Sequence, residues 1–250
     1  MLRKSVVSSF LALSLTLAPT LAAAGEGQEC TQGKLTAQAV VDKHVKALGG
    51  RERLKAVKTF QLTTVIKEGD TVSTSTLRRV RPNLFRYDLD KNGVKTTKAF
   101  DGTQGWTVEG SAAPQRLDKD KNAMLADHAL FDEALLDPKA RGVTLALDGT
   151  EDVNGAPAFK LVLTRGADKE VRYIDQQSHL EVKRIYAGTH EGKAFTKTIA
   201  FSDYRSVDGI MVSHQASWDA DGKKGEKTVQ SARYDAPVDA AVFKLQTPRS

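Results

Sequence analysis

Hydrophobic and polar positions along the chain follow two different periods. From Thr36 to Lys55 (TAQAVVDKHVKALGGRERLK) the apolar residues Ala37, Val41, Val45 and Leu48 recur at three- and four-residue steps behind Thr36. That spacing puts them on one face of an amphipathic helix, and a threonine at its start supplies an acceptor for the unpaired amides of the first turn. Gly49-Gly50 ends the helix, and Arg51 to Val57 reads as a second short turn carrying Leu54 and Val57 inward. Beyond Lys58 the period falls to two: Phe60, Leu62, Thr64 and Ile66 alternate with Gln61, Thr63 and Lys67, as in a strand with one buried face.

Turn signals then arrive at short intervals: Glu68-Gly69-Asp70, Arg81-Pro82-Asn83, Lys91-Asn92-Gly93 and Asp101-Gly102. They separate the segments Val72 to Val80, Leu84 to Leu89, Val94 to Phe100 and Trp106 to Glu109. Short strands joined by tight turns must be antiparallel neighbours, because a parallel connection needs a crossover of a dozen or more residues. Ser111 to Asp120 is polar and reads as a loop. Asn122 to Asp137 returns to helical spacing through Met124, His128, Phe131 and Leu135, and Pro138 and Gly142 close it. Strands resume at Val143 to Leu147, Ala158 to Thr164, Glu170 to Ile174, Leu180 to Tyr186, Phe195 to Phe201, Ile210 to Trp218 and Thr228 to Tyr234, about twelve in all with two helical segments.

A meander of ten or more strands twists too strongly to stay flat and must curl, split or close. Alternation gives it one apolar face, and each helical segment carries an apolar stripe that needs a partner. The expected fold is therefore mainly β with two helical segments: a curled antiparallel meander forming an unclosed half-barrel covered by helices. An interior of this kind can exceed what its own side chains fill.

The amino-terminal residues change the picture of where the chain works. Arg3 and Lys4 precede an apolar stretch from Phe10 to Leu17 and the small-residue run Ala22-Ala23-Ala24, the pattern of a cleaved secretory signal. Serines, threonines and Pro19 interrupt the stretch, which is too short for the roughly 20 apolar residues of a membrane span. The reading is a signal peptide over 1-24 cleaved near Ala24, a disordered leader over 25-35, one domain over 36-250, and a periplasmic, soluble product. Gly27, Gln28 and Glu29 ahead of Cys30 do not form the small-residue pattern of a lipidation site, and as the only cysteine Cys30 has no internal partner.

Lys and Arg number 37 against 31 Asp and Glu, and with Arg3 and Lys4 removed the excess is four. These charges are interspersed, with no basic stripe between aromatics, so no nucleic-acid footprint is present.

Four runs, VVDKHVKALGGRERLKAVKTF, RRVRPNLFRYDL, KAFDGTQGW and DAPVDAAVFKL, together resemble the LolA/LolB-like superfamily of periplasmic lipoprotein carriers and their outer membrane lipoprotein-sorting relatives. The resemblance runs from Thr36 to Leu245. It implies an unclosed antiparallel barrel, a helical lid and an apolar cavity that accepts lipid acyl chains. It transfers no ligand-contact residue to a position in this chain.

Candidate cavity residues follow from the strand faces: Phe60, Leu62, Ile66, Phe85, Tyr87, Phe100, Trp106 and Tyr173. Met124, Leu125, Phe131, Leu135 and Leu136 are candidates for the underside of a lid, or else for a fixed core helix. Trp106 lines the cavity mouth or packs in the core. Arg81-Pro82-Asn83 reads either as a lid-contacting or ligand-gating element whose arginine meets an anionic head group, or as an edge bend that ends strand pairing.

Candidate chemistry is sparse. His44, His128, His179, His190 and His214 show no pair at zinc-ligand spacing, and there is no nucleophile elbow, phosphate loop or dinucleotide fingerprint. Asp132-Glu133 and Asp118-Asp120 resemble acid-base pairs but read as solvated surface. The expectation is no cofactor, no metal and no catalysis. The chain reads as a monomeric carrier of lipoprotein acyl chains or other lipids, served by a membrane-bound donor or acceptor. The alternatives are an envelope lipid sensor or interaction domain, and a metal-free enzyme on the same scaffold.

Overall fold

The structure, a computed structural model, describes residues 35–190 and 193–245. The expected signal peptide, the leader and Cys30 lie outside the described residues, apart from Leu35. Helix α1 (Ala37–Ala47) begins where its cap predicts: Thr36 is extended and its Oγ1 accepts from the Ala39 amide at 3.1 Å. Gly49 and Gly50 follow with φ of 130° and 88°, then α2 (Arg51–Ala56). A Cβ on Gly49 would lie 2.5 Å from the Gly209 carbonyl oxygen. Glycine is therefore needed both for the backbone angle and for the close approach of a distant turn.

Among the described residues, thirteen strands form one antiparallel sheet. The amino-terminal half comprises β1 (Thr59–Glu68), β2 (Thr71–Val80), β3 (Leu84–Lys91), β4 (Val94–Phe100), β5 (Gly105–Glu109) and the two-residue β6 (Gln115–Arg116). The carboxy-terminal half comprises β7 (Thr144–Val153), β8 (Ala156–Arg165), β9 (Asp168–Asp175), β10 (Glu181–His190), β11 (Lys193–Val207), β12 (Ile210–Ala220) and β13 (Lys223–Tyr234). Each half is a meander. The two join where β1 pairs with β13, with Phe60 opposite Tyr234, while β6 and β7 are left as the two edges. The sheet is open and its helical segments cover one face, the half-barrel expected from the sequence.

Two boundaries differ from expectation. The short β6 lies in the stretch read as a loop, because Trp106 and Thr107 offer it a partner strand edge. The expected helix over 122–137 forms as α3 (Lys119–Ala129), capped by Asp118, whose carboxylate accepts from the Lys121 amide at 2.9 Å. The spacing of Phe131 and Leu135 continued the helical period, but Leu130 turns extended. The Phe131 amide donates instead to the Pro82 carbonyl at 3.2 Å, so tertiary contacts, not propensity, decide this segment.

Both helices dock on the same, concave face. On the β7–β9 side, Val40, Val41 and Val45 of α1 pack with Leu161, Leu163 and Ile174, and Leu135 and Leu136 complete the cluster. On the β3–β5 side, Leu125 and Ala129 of α3 pack on Phe100 and Phe85. The trough between them runs along β1 and β10–β13. Among the described residues no helix is long and apolar enough to cross a membrane.

Candidate functional site

The closed end of the trough holds a cavity of about 250 Å³ beneath the loop that follows α3. Its walls are mainly apolar and include Val57, Phe60, Leu77, Phe131, Ile210 and Tyr234. Phe60 stacks on Tyr234 with centroids 4.7 Å apart, a consequence of their being cross-strand partners. Tyr234 is pushed up to about 12, because burial disfavours the charged phenolate.

The roof of the cavity is clasped from both sides by neighbouring acids. Arg81 makes a bidentate pair with Asp132, both bonds at 2.7 Å, and its guanidinium lies 4.6 Å from the Phe131 ring centroid. Its Nε donates to the Val57 carbonyl at 2.8 Å. Arg81 thus contacts the loop through the chain's own Asp132, and the same three residues are also the bend that ends strand pairing, since β2 stops at Val80 and β3 begins at Leu84. Glu133 turns the other way, to Arg172 Nη1 at 2.5 Å and Arg184 Nη2 at 3.5 Å. The reading of Asp132 and Glu133 as solvated surface is corrected: each fastens the roof to a different half of the sheet.

Glu133 belongs to a network buried in the trough floor. Arg172, only 3% exposed, also meets Glu170 at 2.5 Å and Glu181 at 3.8 Å. Arg184 pairs with Glu181 at 2.5 Å and Glu170 at 3.3 Å and donates to the Tyr186 hydroxyl at 2.8 Å. Burial pushes Glu133 up, but Arg172 and Arg184 outweigh it and hold the carboxyl at about 2. About half of its side-chain surface remains exposed, and the residue is among those lining the cavity. His44 closes the network. Burial lowers it, against the opposing pull of Glu181 and Glu133, and its Nδ1–H donates to the His179 carbonyl at 2.8 Å. On the other wall, Arg79 Nε and Arg141 Nε and Nη1 are buried without a hydrogen-bond partner among the described residues.

The sequence-derived candidates divide by sheet face. Phe60, Phe131 and Leu135 line the cavity, with Leu136. Leu62 lies on the same face beside Leu77, and Ile66 lies further along the trough beside Lys227. Tyr87, paired with Leu77, shares that face, while Phe85 and Phe100 pack under Leu125 of α3. Trp106 and Tyr173 lie on the opposite, convex face. Trp106 pairs with Ala99, and its indole N–H donates to the Phe243 carbonyl in the carboxy-terminal 3-10 turn (Ala240–Phe243) at 2.8 Å. The Tyr173 hydroxyl donates to Glu151 at 3.0 Å. Met124 is 58% exposed on the solvent side of α3. Alternation groups residues by face but does not say which face is concave, and the Asp101–Gln104 turn resets the phase before Trp106. The residues missed from the sequence are His44, Arg79, Arg172, Glu181 and Arg184. Their one signal was charge at period two beside apolar residues, as in Glu170-Val171-Arg172.

Two more open grooves lie elsewhere. One of about 510 Å³ runs under the 3-10 turn by Arg78, Arg86 and Trp106. One of about 550 Å³ is bordered by Ser217, Asp219 and Lys224. Charged side chains enter both linings, Arg78, Arg86 and Asp88 in the first and Lys67, Asp219, Lys224 and Glu226 beside Trp218 in the second, so the roofed cavity is the better apolar site. Among the described residues no group of three or more His, Cys, Asp or Glu is placed to hold a metal ion.

No family model matches the chain and no curated protein matches it in sequence. Solved structures match its fold. A LolA superfamily protein from Nitrosomonas europaea superposes with a TM-score of 0.58 at 14% identity, covering 84% of this chain and 98% of its own. A DUF1329 family protein from Desulfovibrio piger gives 0.57 at 16% identity, covering 84% and 99%. A domain from Vibrio parahaemolyticus named for outer membrane lipoprotein sorting gives 0.55 at 11% identity, covering 83% and 95%. The chain has the LolA/LolB-like fold.

Proposed function

We propose that this chain, built on the LolA/LolB-like half-barrel, holds the acyl chain of a lipoprotein or lipid in the trough, outside the cytoplasmic membrane. The observation that carries the reading is the apolar cavity left unfilled beneath a roof held by ion pairs. Burying apolar ligand surface there contributes about 25 cal/mol per Å². The cavity of about 250 Å³ is smaller than the roughly 300–1,000 Å³ of sites that engulf a whole ligand. Loading therefore requires the loop over 131–136 to yield, exchanging Phe131 and Leu135 contacts with the floor for contacts with the ligand. The secretory pattern of the first residues supports a periplasmic setting.

The reading is tested by producing the full chain with its amino-terminal segment, isolating it from the periplasmic fraction without detergent, and analysing solvent extracts by mass spectrometry. Acyl-bearing molecules at near-stoichiometric yield are expected. Repeated ligand-free preparations that also fail to bind a fluorescent fatty acid overturn it.

A further inference from the structure

The trough does not end at the roofed cavity, and its open end has a different character. On β11–β13 the concave positions are Lys197, Ile199 and Phe201, Ala216 and Trp218, and Gly225 and Lys227. These fall on one face because Trp218 is the partner of both Ile199 and Gly225, and Lys227 of both Ala216 and Ile66. Lys197 lies opposite Tyr186 and places its ammonium 5.4 Å from the Trp218 ring centroid. Gly225 makes room for that indole, since a Cβ there would lie 2.2 Å from Trp218 Cζ2.

Among the described residues, neither Lys197 nor Lys227 lies within 4.0 Å of a carboxylate, whereas Arg172 and Arg184, deeper in the trough, each pair with three glutamates. Lys227 is half-buried between Ile66 and Ala216. Burial lowers it from its ordinary value, and the neighbouring Lys197 and Arg184 add to the lowering. Two cations with no acid between them, set in an aromatic and aliphatic wall, lack the counter-charge that half-buried ammonium groups require.

We propose that Lys197 and Lys227 form a site for an oxyanion carried on an acyl chain, a phosphate or carboxylate head whose tail runs along Ile66 and Leu62 toward the roofed cavity. This rests on the reading of the trough as an acyl-chain site and adds the class of ligand and its orientation. The head belongs at the open end because two neighbouring ammonium groups there have no carboxylate partner among the described residues, and neither is fully buried. Trp218, beside the ammonium groups, reports occupancy, while the other tryptophan, Trp106, is buried on the far face.

The test measures tryptophan fluorescence of the full chain titrated with lysophosphatidylglycerol, with monoacylglycerol of the same tail, and with inorganic phosphate, the amphiphiles below their micellar concentrations. The phosphorylated amphiphile is expected to bind at least about tenfold more tightly than the uncharged one. Lys197→Gln/Lys227→Gln is expected to erase that preference while monoacylglycerol binding stays unchanged, which also shows that the variant is folded. Equal binding of the two amphiphiles by the wild type overturns the head-group site and leaves the acyl-chain reading intact. Phosphate alone binding as tightly as the lysolipid overturns the amphiphile. Failure of both amphiphiles to bind overturns both readings.

Discussion

The Glu133 carboxylate accepts from Arg172 Nη1 at 2.5 Å across 39 residues of sequence, tying the loop after α3 to the trough floor on β9. Arg172 is 3% exposed and keeps Glu170 and Glu181 as further partners. The two ends of this bond therefore differ in what their removal costs.

Glu133→Gln leaves Arg172 paired and removes a carboxylate that is half exposed, so the expected loss is about 1 kcal/mol. Arg172→Leu strands buried carboxylates around Arg184 alone, and the expected loss is about 3–5 kcal/mol. Urea unfolding of the two variants separates them. Equal losses would mean that the network does not hold Arg172 as described.

Stability should fall in acid, and part of that fall belongs to Glu133. Its carboxyl is held at about 2 against an ordinary 4.5, because Arg172 and Arg184 outweigh the effect of burial. The folded chain thus keeps the group ionised where the unfolded chain has protonated it. The contribution is complete above pH 4.5 and is lost as pH falls toward 2. Urea midpoints at pH 7 and pH 3 should differ less in Glu133→Gln than in the wild type. An identical difference in both would contradict the assignment.

On the convex face, Trp106→Phe keeps the ring but removes the donor to the Phe243 carbonyl. Leaving that buried acceptor unpaired costs about 1–2 kcal/mol. The carboxy-terminal turn should loosen before the sheet does, seen as faster tryptic cleavage after Lys244 at temperatures where the core remains folded. Unchanged cleavage would show that Phe243, fully buried, holds the turn by packing alone.

Gly225→Ala places a methyl group against Trp218, with no flexible side chain to give way on the backbone side, where Lys67 O is 3.0 Å away. The indole must move. A loss of about 1–3 kcal/mol is expected, with a shift in tryptophan emission that Trp106, on the opposite face, does not share. Wild-type emission and stability would show that the indole does not lie across this glycine.

Much of the fold was legible because it depends on local periodicity. The period-two segments became strands, and Gly49-Gly50 and Thr36 bounded α1 as their chemistry requires. Phe60, Leu62 and Ile66 share a face because they are two and four residues apart. The loop over 131–137 was not legible. Its apolar spacing suited a helix, but after Leu130 the segment bonds to the sheet instead, the Phe131 amide to the Pro82 carbonyl and Asp132 and Glu133 to Arg81 and Arg172.

The sequence by itself determined the alternation, the turns and hence a curling antiparallel meander with helices on its apolar side, since each of these is set by residues within a few positions of one another. Only the tertiary structure decided that β1 pairs with β13, that Trp106 and Tyr173 face outward, and that Asp132 and Glu133, read as solvated surface, pair with arginines on different halves of the sheet. Those outcomes depend on strand register and sheet curvature, which join residues tens to more than a hundred positions apart, and no local pattern encodes which distant partner a side chain will meet.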